Sequence, residues 1–415
     1  MEFPTWAEVD LDRFRRNLEA IRAAIGGTRR ILLVVKADAY GHGAVEIARH
    51  AVQNGVSKLG VATLHEGIEL RGAGIAAPIV VLSPSLLSEV DEIIEHRLTP
   101  CIATLPFAER LSERCQAHQL LARYHVEIDT GMGRTGVSDG EAVPFFERLG
   151  TLPNLILEGA FTHFPDADRG ETEQTVAQLA RYHAVLHELA LRNIDVPIRH
   201  AANSAGLLSV GASHLDMVRP GILAYGAYPT RDVAQSVTVE GILTFKTRVV
   251  QIREHAPGQN ISYGCTYRTT RWTRIAVLPV GYGHGYPWAL GNRGEVLVRG
   301  RRAPILGRVT MDLTMVDVSD IPDVRPEDEV VLWGEQRGTR LDLNEVAERA
   351  QTIPYELLCG MGKRVVRLFV REGAPTKVVT LIGERRELEI VETGTGAADR
   401  RKRRRIEYKN VREKP

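Results

Sequence analysis

The apolar residues in the first half of the chain predict a repeated succession of strands and helices. Short apolar runs rich in β-branched residues, typical of strands buried on both faces, alternate with segments whose apolar residues recur at helical spacing. An opening strand within residues 1–9 precedes a helix that Asp10 is placed to cap. The strands that follow are predicted at residues 31–36, 58–63, 78–83, 98–103, 124–129, 155–161, 198–202 and 215–219.

Eight strands within about 190 residues, most of them separated by segments of helical length, predict a (β/α)8 barrel of the TIM type. The alternative is an open doubly wound sheet. The sequence favours it less because no Gly-rich phosphate-binding fingerprint follows the first strand. The fold class is therefore α/β, with the barrel over residues 10–235.

After the predicted barrel, the pattern changes to short runs of alternating apolar and polar residues separated by Gly and Pro, which is typical of an all-β domain. The strands predicted there are 238–252, 275–280, 295–298, 314–318, 329–333 and 365–370, with one helix over 341–350. Residues 1–9 and 236–374 are thus predicted to form a mostly β C-terminal domain.

Residues 375–415 form an atypical extension. One hairpin is predicted from residues 377–382 and 387–391. The six adjacent cations at residues 400–405 repel one another and cannot pack, which predicts a disordered basic tail. That tail is either a solvated segment or a contact for nucleic acid or another anionic surface.

The composition narrows the class of protein. A chain of 415 residues is too long for one ordinary core, and 44% hydrophobic with 25% charged residues is typical of soluble globular proteins. The net charge of +1 gives no reason to expect nucleic acid or a membrane as the main partner. The four cysteines lie far apart without metal-ligand spacing, so we expect reduced thiols and no metal site. With neither a signal peptide nor an apolar run of roughly 20 residues, the protein is predicted to be cytoplasmic.

A lysine directly follows the first predicted barrel strand. Residues 31–35 are five apolar residues, three of them β-branched, and the run ends at Lys36. An ammonium beside a buried strand is costly unless it has a partner or a function. Its side chain either extends to solvent or forms a Schiff base, because low polarity lowers the pKa of a lysine and frees its amine.

Polar side chains follow several of the other predicted strands as well. Because the carboxyl ends of barrel strands meet at one face, these residues together predict an active site, although each alone would be typical of a structural residue. They are Tyr40 after the first strand, Arg134 after the fifth, His163 after the sixth, Asn203 and Ser204 after the seventh, and Arg219 after the eighth.

This set of residues suits a phosphorylated aldehyde cofactor. Backbone amides after Ser204 and around Gly221 and Ile222 could hold a phosphate. If Arg219 faces a pyridine nitrogen, its guanidinium donates a hydrogen bond without giving up its proton, which leaves the ring a weak electron sink. Such a site favours brief removal and return of a proton over reactions that need a long-lived carbanion.

Several motifs resemble those of the alanine racemase family, in the same order and at similar spacing over residues 3–372. They are Lys36–Gly43, Asp129–Arg134, Thr162–Phe164, Asn203–Ala205, Val218–Ile222, Ile261–Gly264, Gly281–Tyr282, Met311–Asp312 and Pro354–Glu356. The resemblance implies pyridoxal 5'-phosphate (PLP) as cofactor, alanine as substrate and a homodimer.

The resemblance also implies roles for individual residues. Lys36 would hold the cofactor and act as the base on the D-alanine side. Tyr263 of the partner subunit would act on the L-alanine side, since inversion requires bases on opposite faces. The implied cofactor contacts are Lys36, Tyr40, His163, Asn203, Ser204, Arg219, Gly221, Ile222 and Tyr355. The implied substrate contacts are Arg134 and the backbone of Met311, with Glu127 and His200 in supporting positions.

Three features depart from the family pattern. Glu127 stands where the family usually has a lysine, often carbamylated, and we hypothesise that its carboxylate supplies the negative charge near Arg134. His284 stands where the family commonly has aspartate. Residues 375–415 have no counterpart in the family pattern.

The predicted function is that of an alanine racemase, which interconverts L- and D-alanine by two-base proton transfer and supplies D-alanine for peptidoglycan. A PLP-dependent racemase of other or broader specificity, such as serine, is less favoured because Tyr263 and Tyr355 would crowd the pocket. A decarboxylase of the same architecture would pair the ring nitrogen with an acidic residue rather than with Arg219. A catalytically weak PLP-binding protein with a nucleic-acid-contacting tail would have no use for both Lys36 and Tyr263.

Overall fold

The computed structural model describes residues 3–381 and, as backbone, the strands Arg386–Val391 and Arg405–Tyr408. The chain divides into two compact units, residues 15–240 and residues 1–14 together with 241–415, called here the barrel unit and the β unit. Most of the predicted basic run, residues 400–404, lies outside the described residues, and residue 405 begins a strand.

Eight parallel strands form the barrel. In chain order they are Arg30–Val34, Lys58–Val61, Ile79–Pro84, Thr99–Ile102, Ala122–Asp129, Leu155–Phe161, Arg199–His200 and Met217–Val218. They pair in parallel in this order up to the seventh, and the eighth pairs with the first. Between the seventh and eighth, the Asp216 N–H donates to the Arg199 carbonyl and the Arg219 N–H to the Ala202 carbonyl. The predicted (β/α)8 barrel is therefore confirmed.

Helices separate most of the barrel strands, and several begin at the capping residues that the sequence supplies. Asp10 accepts the N–H groups of Asp12 and Arg13 at 2.9 Å each, as predicted, and Thr63 with Glu66 forms a capping box. The helices are Leu11–Ile25, Ala44–Gln53, Leu64–Gly72, Val90–Glu95, Leu105–Ala117, Asp139–Gly150, Glu173–Leu191 and Ser204–Ser209, with a left-handed turn at Lys36–Gly41 and short 3-10 turns at Leu87–Glu89, Ala167–Arg169 and Gly211–Ser213.

The β unit contains one large sheet and two small ones. The strands of the large sheet, in spatial order, are Arg301–Pro304, Glu295–Val298, Glu329–Gln336, Leu243–Arg248, Thr5–Asp10, Val366–Arg371, Ala374–Val379, Arg386–Val391 and Arg405–Tyr408, with Thr339–Leu341 paired to the third of these. The small sheets are Gln251–His255 with Thr273–Leu278 and Thr314–Asp317, and Asn260–Ile261 with Tyr267–Arg268. The remaining elements are the helices Leu343–Arg349 and Pro354–Cys359 and the 3-10 turns Tyr263–Cys265, Tyr282–His284 and Trp288–Leu290.

Two sequence expectations for the β unit can be compared with its strands. The run predicted as one strand over 238–252 splits after residue 248 into strands of two different sheets. The predicted hairpin is present, since Lys377 pairs with Glu387 in antiparallel register. The interior of the unit is aromatic: the rings of Phe245 and Trp333 lie 4.7 Å apart between centroids, and both side chains are buried.

Candidate active site

The first barrel strand ends two residues before Lys36, and the chain then makes a left-handed turn. Four consecutive residues, 37–40, have φ between 51° and 55°. This conformation costs residues other than glycine roughly 1–2 kcal/mol each. Glu66 holds the turn by accepting the Ala37 N–H at 2.7 Å, and the Asp38 carboxylate accepts the Ala44 N–H at 2.7 Å. The turn places half-buried Lys36 and buried Tyr40 at the end of the strand.

Arg219 is the centre of the polar network at the carboxyl ends of strands six to eight. Its guanidinium is 3% exposed and lies over the ring of Phe161, 5.0 Å from the centroid. It donates to His200 Nδ1 at 3.1 Å, to His163 Nδ1 at 3.2 Å and to the Thr162 carbonyl at 2.8 Å. Since arginine only donates, each of these ring nitrogens must be an acceptor. The network therefore requires neutral histidines.

The electrostatics agree with this assignment. Burial and the charge of Arg219 hold the pKa of His200 and of His163 well below the ordinary value. Burial also lowers the pKa of Arg219 to about 10, opposed by the negative charge of Glu127. A guanidinium with that pKa stays protonated at neutral pH. The site thus keeps one fixed positive charge between two neutral rings.

Ser204, Gly221 and Tyr40 form a cradle between the seventh strand, the eighth strand and the left-handed turn. Ser204 Oγ accepts the Gly221 N–H at 3.0 Å and the Leu223 N–H at 3.4 Å. A Cβ at Gly221 would lie 2.6 Å from the Tyr40 hydroxyl, so only glycine allows this approach. Ile222 is fully buried beside it. Hydroxyl groups and backbone N–H groups converging without an acid among them suit a phosphate.

Asn203 links this cradle to the Arg219 network. Its side-chain amide lies 3.4 Å from His163 Nε2 and donates to the Phe164 carbonyl at 3.1 Å. The side-chain Oδ1 of Asn203 caps the helix Ser204–Ser209 by accepting a hydrogen bond from the Gly206 N–H at 2.8 Å. Because the same side chain starts the helix and touches His163, the helix N-terminus is held to the network.

The loop after the fifth strand presents Arg134. Asp129 accepts the backbone N–H groups of residues 131, 132 and 133 at 2.8–3.1 Å, which folds the loop and leaves Arg134 exposed. Glu127, 2% exposed, accepts the Thr135 hydroxyl at 2.6 Å on the other side of this loop. The buried carboxylate is thus attached to the segment that carries Arg134.

The remaining predicted site residues, Tyr263, Met311 and Tyr355, belong to the β unit. Tyr263 is 73% exposed and Met311 50% exposed, whereas Tyr355 is half-buried in the helix Pro354–Cys359. The backbone before Tyr263 is held by the Ser262 hydroxyl, which donates to the Arg308 carbonyl at 2.8 Å. The Met311 carbonyl accepts the Gly283 N–H at 2.9 Å. The structure brings the eleven barrel-unit residues of the prediction together at the strand ends and describes these three in their own unit.

Sequence reasoning missed several residues that support the site. Glu66 holds the turn after Lys36, and Glu158, His125 and Lys58 extend the network from His200. His125 and Glu158 alternate with apolar neighbours in the fifth and sixth strands and are polar at inward positions, which was the available signal.

Among the described residues, no cluster of three or more His, Cys, Asp or Glu is arranged to hold a metal ion. Nor does any helix there have the length and apolar character needed to cross a membrane.

Comparisons with known proteins cover both units. The family model for the alanine racemase N-terminal domain matches residues 9–229, and that for the alanine racemase C-terminal domain matches residues 242–369. The alanine racemase of Halothermothrix orenii is 45% identical over 366 residues, which are 88% of this chain and 97% of that protein. The alanine racemase of Symbiobacterium thermophilum is 44% identical over 371 residues, with coverage of 89% and 98%.

Solved structures give the same match. The alanine racemase of Clostridium difficile 630 superposes with a TM-score of 0.87 at 35% identity, covering 92% of this chain and 100% of that one. The alanine racemase of Bacillus anthracis with bound L-Ala-P superposes with a TM-score of 0.86 at 35% identity, with coverage of 92% and 99%.

Proposed function

The chain belongs to the alanine racemase family, and from this premise we propose how its own residues carry out the interconversion of L-alanine and D-alanine. The activity is that of an isomerase and, as follows from the family, it supplies D-alanine for the cell wall. The alternatives of another racemase specificity or of a PLP-binding protein without activity are not favoured by these relatives.

The family depends on PLP, and the barrel unit offers groups that fit this cofactor. The observation that carries the proposal is the cradle of Ser204, Gly221 and Tyr40, in which a Cβ would fill the space beside the Tyr40 hydroxyl. We assign the phosphate to this cradle with Ile222, and the covalent attachment to Lys36. Bound there, PLP withdraws electrons from the amino acid and makes its Cα proton acidic.

Arg219 is the residue that we place against the ring nitrogen of the cofactor. The buried guanidinium donates hydrogen bonds to His163 and His200 and stays protonated. A donor that keeps its proton leaves the cofactor a modest electron sink, which suits prompt return of the proton to Cα. Asn203, in contact with His163, completes the support of the ring.

Two bases on opposite faces of the substrate perform the inversion. Lys36 moves the proton on the D-alanine face. Tyr263 of the partner subunit moves it on the L-alanine face, which makes the active enzyme a homodimer. The support for this assignment is the 73% exposure of Tyr263, which its own subunit leaves available to a second chain.

Arg134 binds the substrate carboxylate in this proposal. Arg134 extends from the loop that Asp129 organises. The buried Glu127 carboxylate, joined to the same loop through Thr135, balances the positive charges of Arg134 and Arg219 without a modified lysine.

Cys265 is an exposed free thiol, which favours the reducing cytoplasm as the location of the enzyme.

The test follows L-alanine, and separately L-serine, in D₂O with purified protein and added PLP. Chiral chromatography measures the D-isomer, and mass spectrometry measures deuterium at Cα. Deuterated D-alanine with little D-serine is the expected result. Deuterium incorporation into L-alanine without inversion would overturn the role of Lys36 on the D-alanine face, and no exchange at all would overturn the role of Tyr263 on the L-alanine face.

A further inference from the structure

We propose that Glu158 and His125 are positioning residues for the racemase reaction, because they complete a one-way hydrogen-bond relay through His200 that holds the guanidinium of Arg219. The relay extends from the strand-end site toward the opposite end of the barrel. The inference rests on the proposed function only in assigning Arg219 to the cofactor.

The relay is continuous. The Lys58 ammonium lies 2.9 Å from Glu158 Oε1, and Glu158 Oε2 lies 3.0 Å from His125 Nε2. His125 Nδ1 lies 2.9 Å from His200 Nε2, and His200 Nδ1 lies 3.1 Å from Arg219. Each ring nitrogen of His125 and His200 therefore takes part in one hydrogen bond of the relay.

The position of these residues shows that the relay lies inside the barrel. Lys58 is on the second strand and Glu158 on the sixth, and these strands stand opposite each other in a ring of eight. His125 on the fifth strand and His200 on the seventh flank the sixth strand, and both side chains are fully buried. Contacts between strands that are not neighbours can form only through the interior.

The two ends of the relay determine its direction. Arg219 only donates, so His200 Nδ1 accepts and His200 Nε2 carries the proton. His125 Nδ1 must then accept from His200, and His125 Nε2–H donates to Glu158, which accepts as a carboxylate. Protonation of either ring would set a donor against a donor. A single pattern of neutral tautomers therefore satisfies all four groups.

Burial and charge maintain that pattern. Burial lowers the pKa of His125 and, together with the charge of Arg219, that of His200. Burial alone would raise the pKa of Glu158, but hydrogen bonds from His125 and Lys58 lower it to about 2, so the carboxylate stays charged. Burying charged and polar groups inside the barrel costs more folding free energy than filling the same space with apolar side chains. Its consequence is a fixed orientation of the Arg219 guanidinium, and displacements of about 1 Å near the reacting groups can cost about 100-fold in rate.

The decisive variant is Glu158→Gln, whose amide can donate to His125 Nε2 and so reverse the tautomer. The control variant is Glu8→Gln, which removes one carboxylate from the ion pairs of Lys246 in the β unit. In histidine-labelled protein without added PLP, ¹⁵N NMR should show His125 and His200 as neutral Nε2–H tautomers. Glu158→Gln should change those signals, and Glu8→Gln should not.

With PLP added, Glu158→Gln should lower kcat for alanine by on the order of 10- to 100-fold with little change in KM, and Glu158→Asp should recover part of the loss. A wild-type protein with an Nδ1–H tautomer at either histidine would overturn the relay. Changed tautomers with unchanged kcat would overturn its role in the reaction. If Glu158→Gln does not fold, the wild-type spectrum still decides the first point. If the wild type does not racemise alanine, the spectrum tests the relay while the proposed function alone fails.

Discussion

The barrel unit and the β unit present their predicted site residues in opposite ways. In the barrel unit, Arg219, Ser204 and Tyr40 are between 3% and 7% exposed and are held by hydrogen bonds or by close packing within the unit. In the β unit, Tyr263 and Met311 are 73% and 50% exposed. The predicted site residues of the barrel unit are organised by its interior, whereas Tyr263 and Met311 lie on the surface of the β unit.

The difference separates two tasks. In the proposed function, cofactor binding uses groups already fixed against water, and the barrel interior offers such groups. A base that acts on the second face of the substrate can come from another chain. Such a residue must lie on the surface of its own subunit. We therefore expect changes in the barrel unit to affect PLP binding and turnover together. Changes at Tyr263 should affect inversion alone.

Lys36→Ala tests the first task and should have the largest effect. Racemisation should fall by about 10⁴-fold in both directions, because the proposed function gives the lysine two roles, as base and as point of attachment. After borohydride treatment with PLP, mass spectrometry should show the cofactor on the wild type and none at position 36 of the variant. Lys246→Met, a lysine substitution in the β unit, is the control. Turnover retained by the Lys36 variant would contradict the assignment.

Tyr263→Phe tests the second task. Inversion should fall by roughly 10²- to 10⁴-fold, whereas the Cα proton of D-alanine should still exchange with D₂O and PLP affinity should be unchanged. Chiral chromatography and deuterium analysis of each enantiomer measure both properties. Trp272→Phe changes another exposed aromatic residue of the β unit and should leave both unaffected. Loss of exchange from D-alanine together with loss of inversion would argue against a one-face role.

Acidification should destabilise the barrel unit more than the β unit. The barrel unit contains three histidines, His125, His163 and His200, whose pKa values are held down by burial and by neighbouring cations. In the unfolded chain these three imidazole rings take up protons below a pH of about 6.5, whereas in the folded chain they stay neutral there. Stability is therefore present above that pH and is lost below it, at about 1.4 kcal/mol per histidine and pH unit.

Hydrogen exchange measured by mass spectrometry at pH 7.5 and pH 5.5 would locate this effect. Amides of the barrel strands should lose protection at the lower pH, and those of the β unit should change less, since its histidines, His255 and His284, are partly exposed. Equal loss in both units would rule out the buried histidines as the cause.

Glu127→Gln should have the smallest effect, about 10-fold in kcat, which corresponds to about 1.4 kcal/mol. The amide retains a hydrogen-bond acceptor for Thr135 but removes the negative charge that opposes the positive charge of Arg219. Glu141→Gln is a matched control, because that exposed carboxylate also accepts a hydroxyl at 2.6 Å. Steady-state kinetics with both enantiomers measure the effect. Kinetics equal to those of the wild type would show that the charge of Glu127 is dispensable.

The sequence predicted that polar residues of the barrel unit lie together at its strand ends. Buried parallel strands leave long apolar runs, and the carboxyl ends of such strands converge, so Lys36, His163, Asn203 and Arg219 could be placed together from their positions alone. The exposed position of Tyr263 had no comparable signal, and its expected role came from the family resemblance. The left-handed turn after Lys36 was also missed, because its residues include no glycine before residue 41.

By itself the sequence determined the strand count, the parallel barrel and the residues at its strand ends, because these depend on periodicity within short segments. Only the tertiary structure decided that Lys58 pairs with Glu158 and that His125 meets His200. These partners are 75 to 100 residues apart, and closure of the ring places them face to face. The tautomers of the relay depend in turn on the groups at both of its ends, which no single segment of the chain contains.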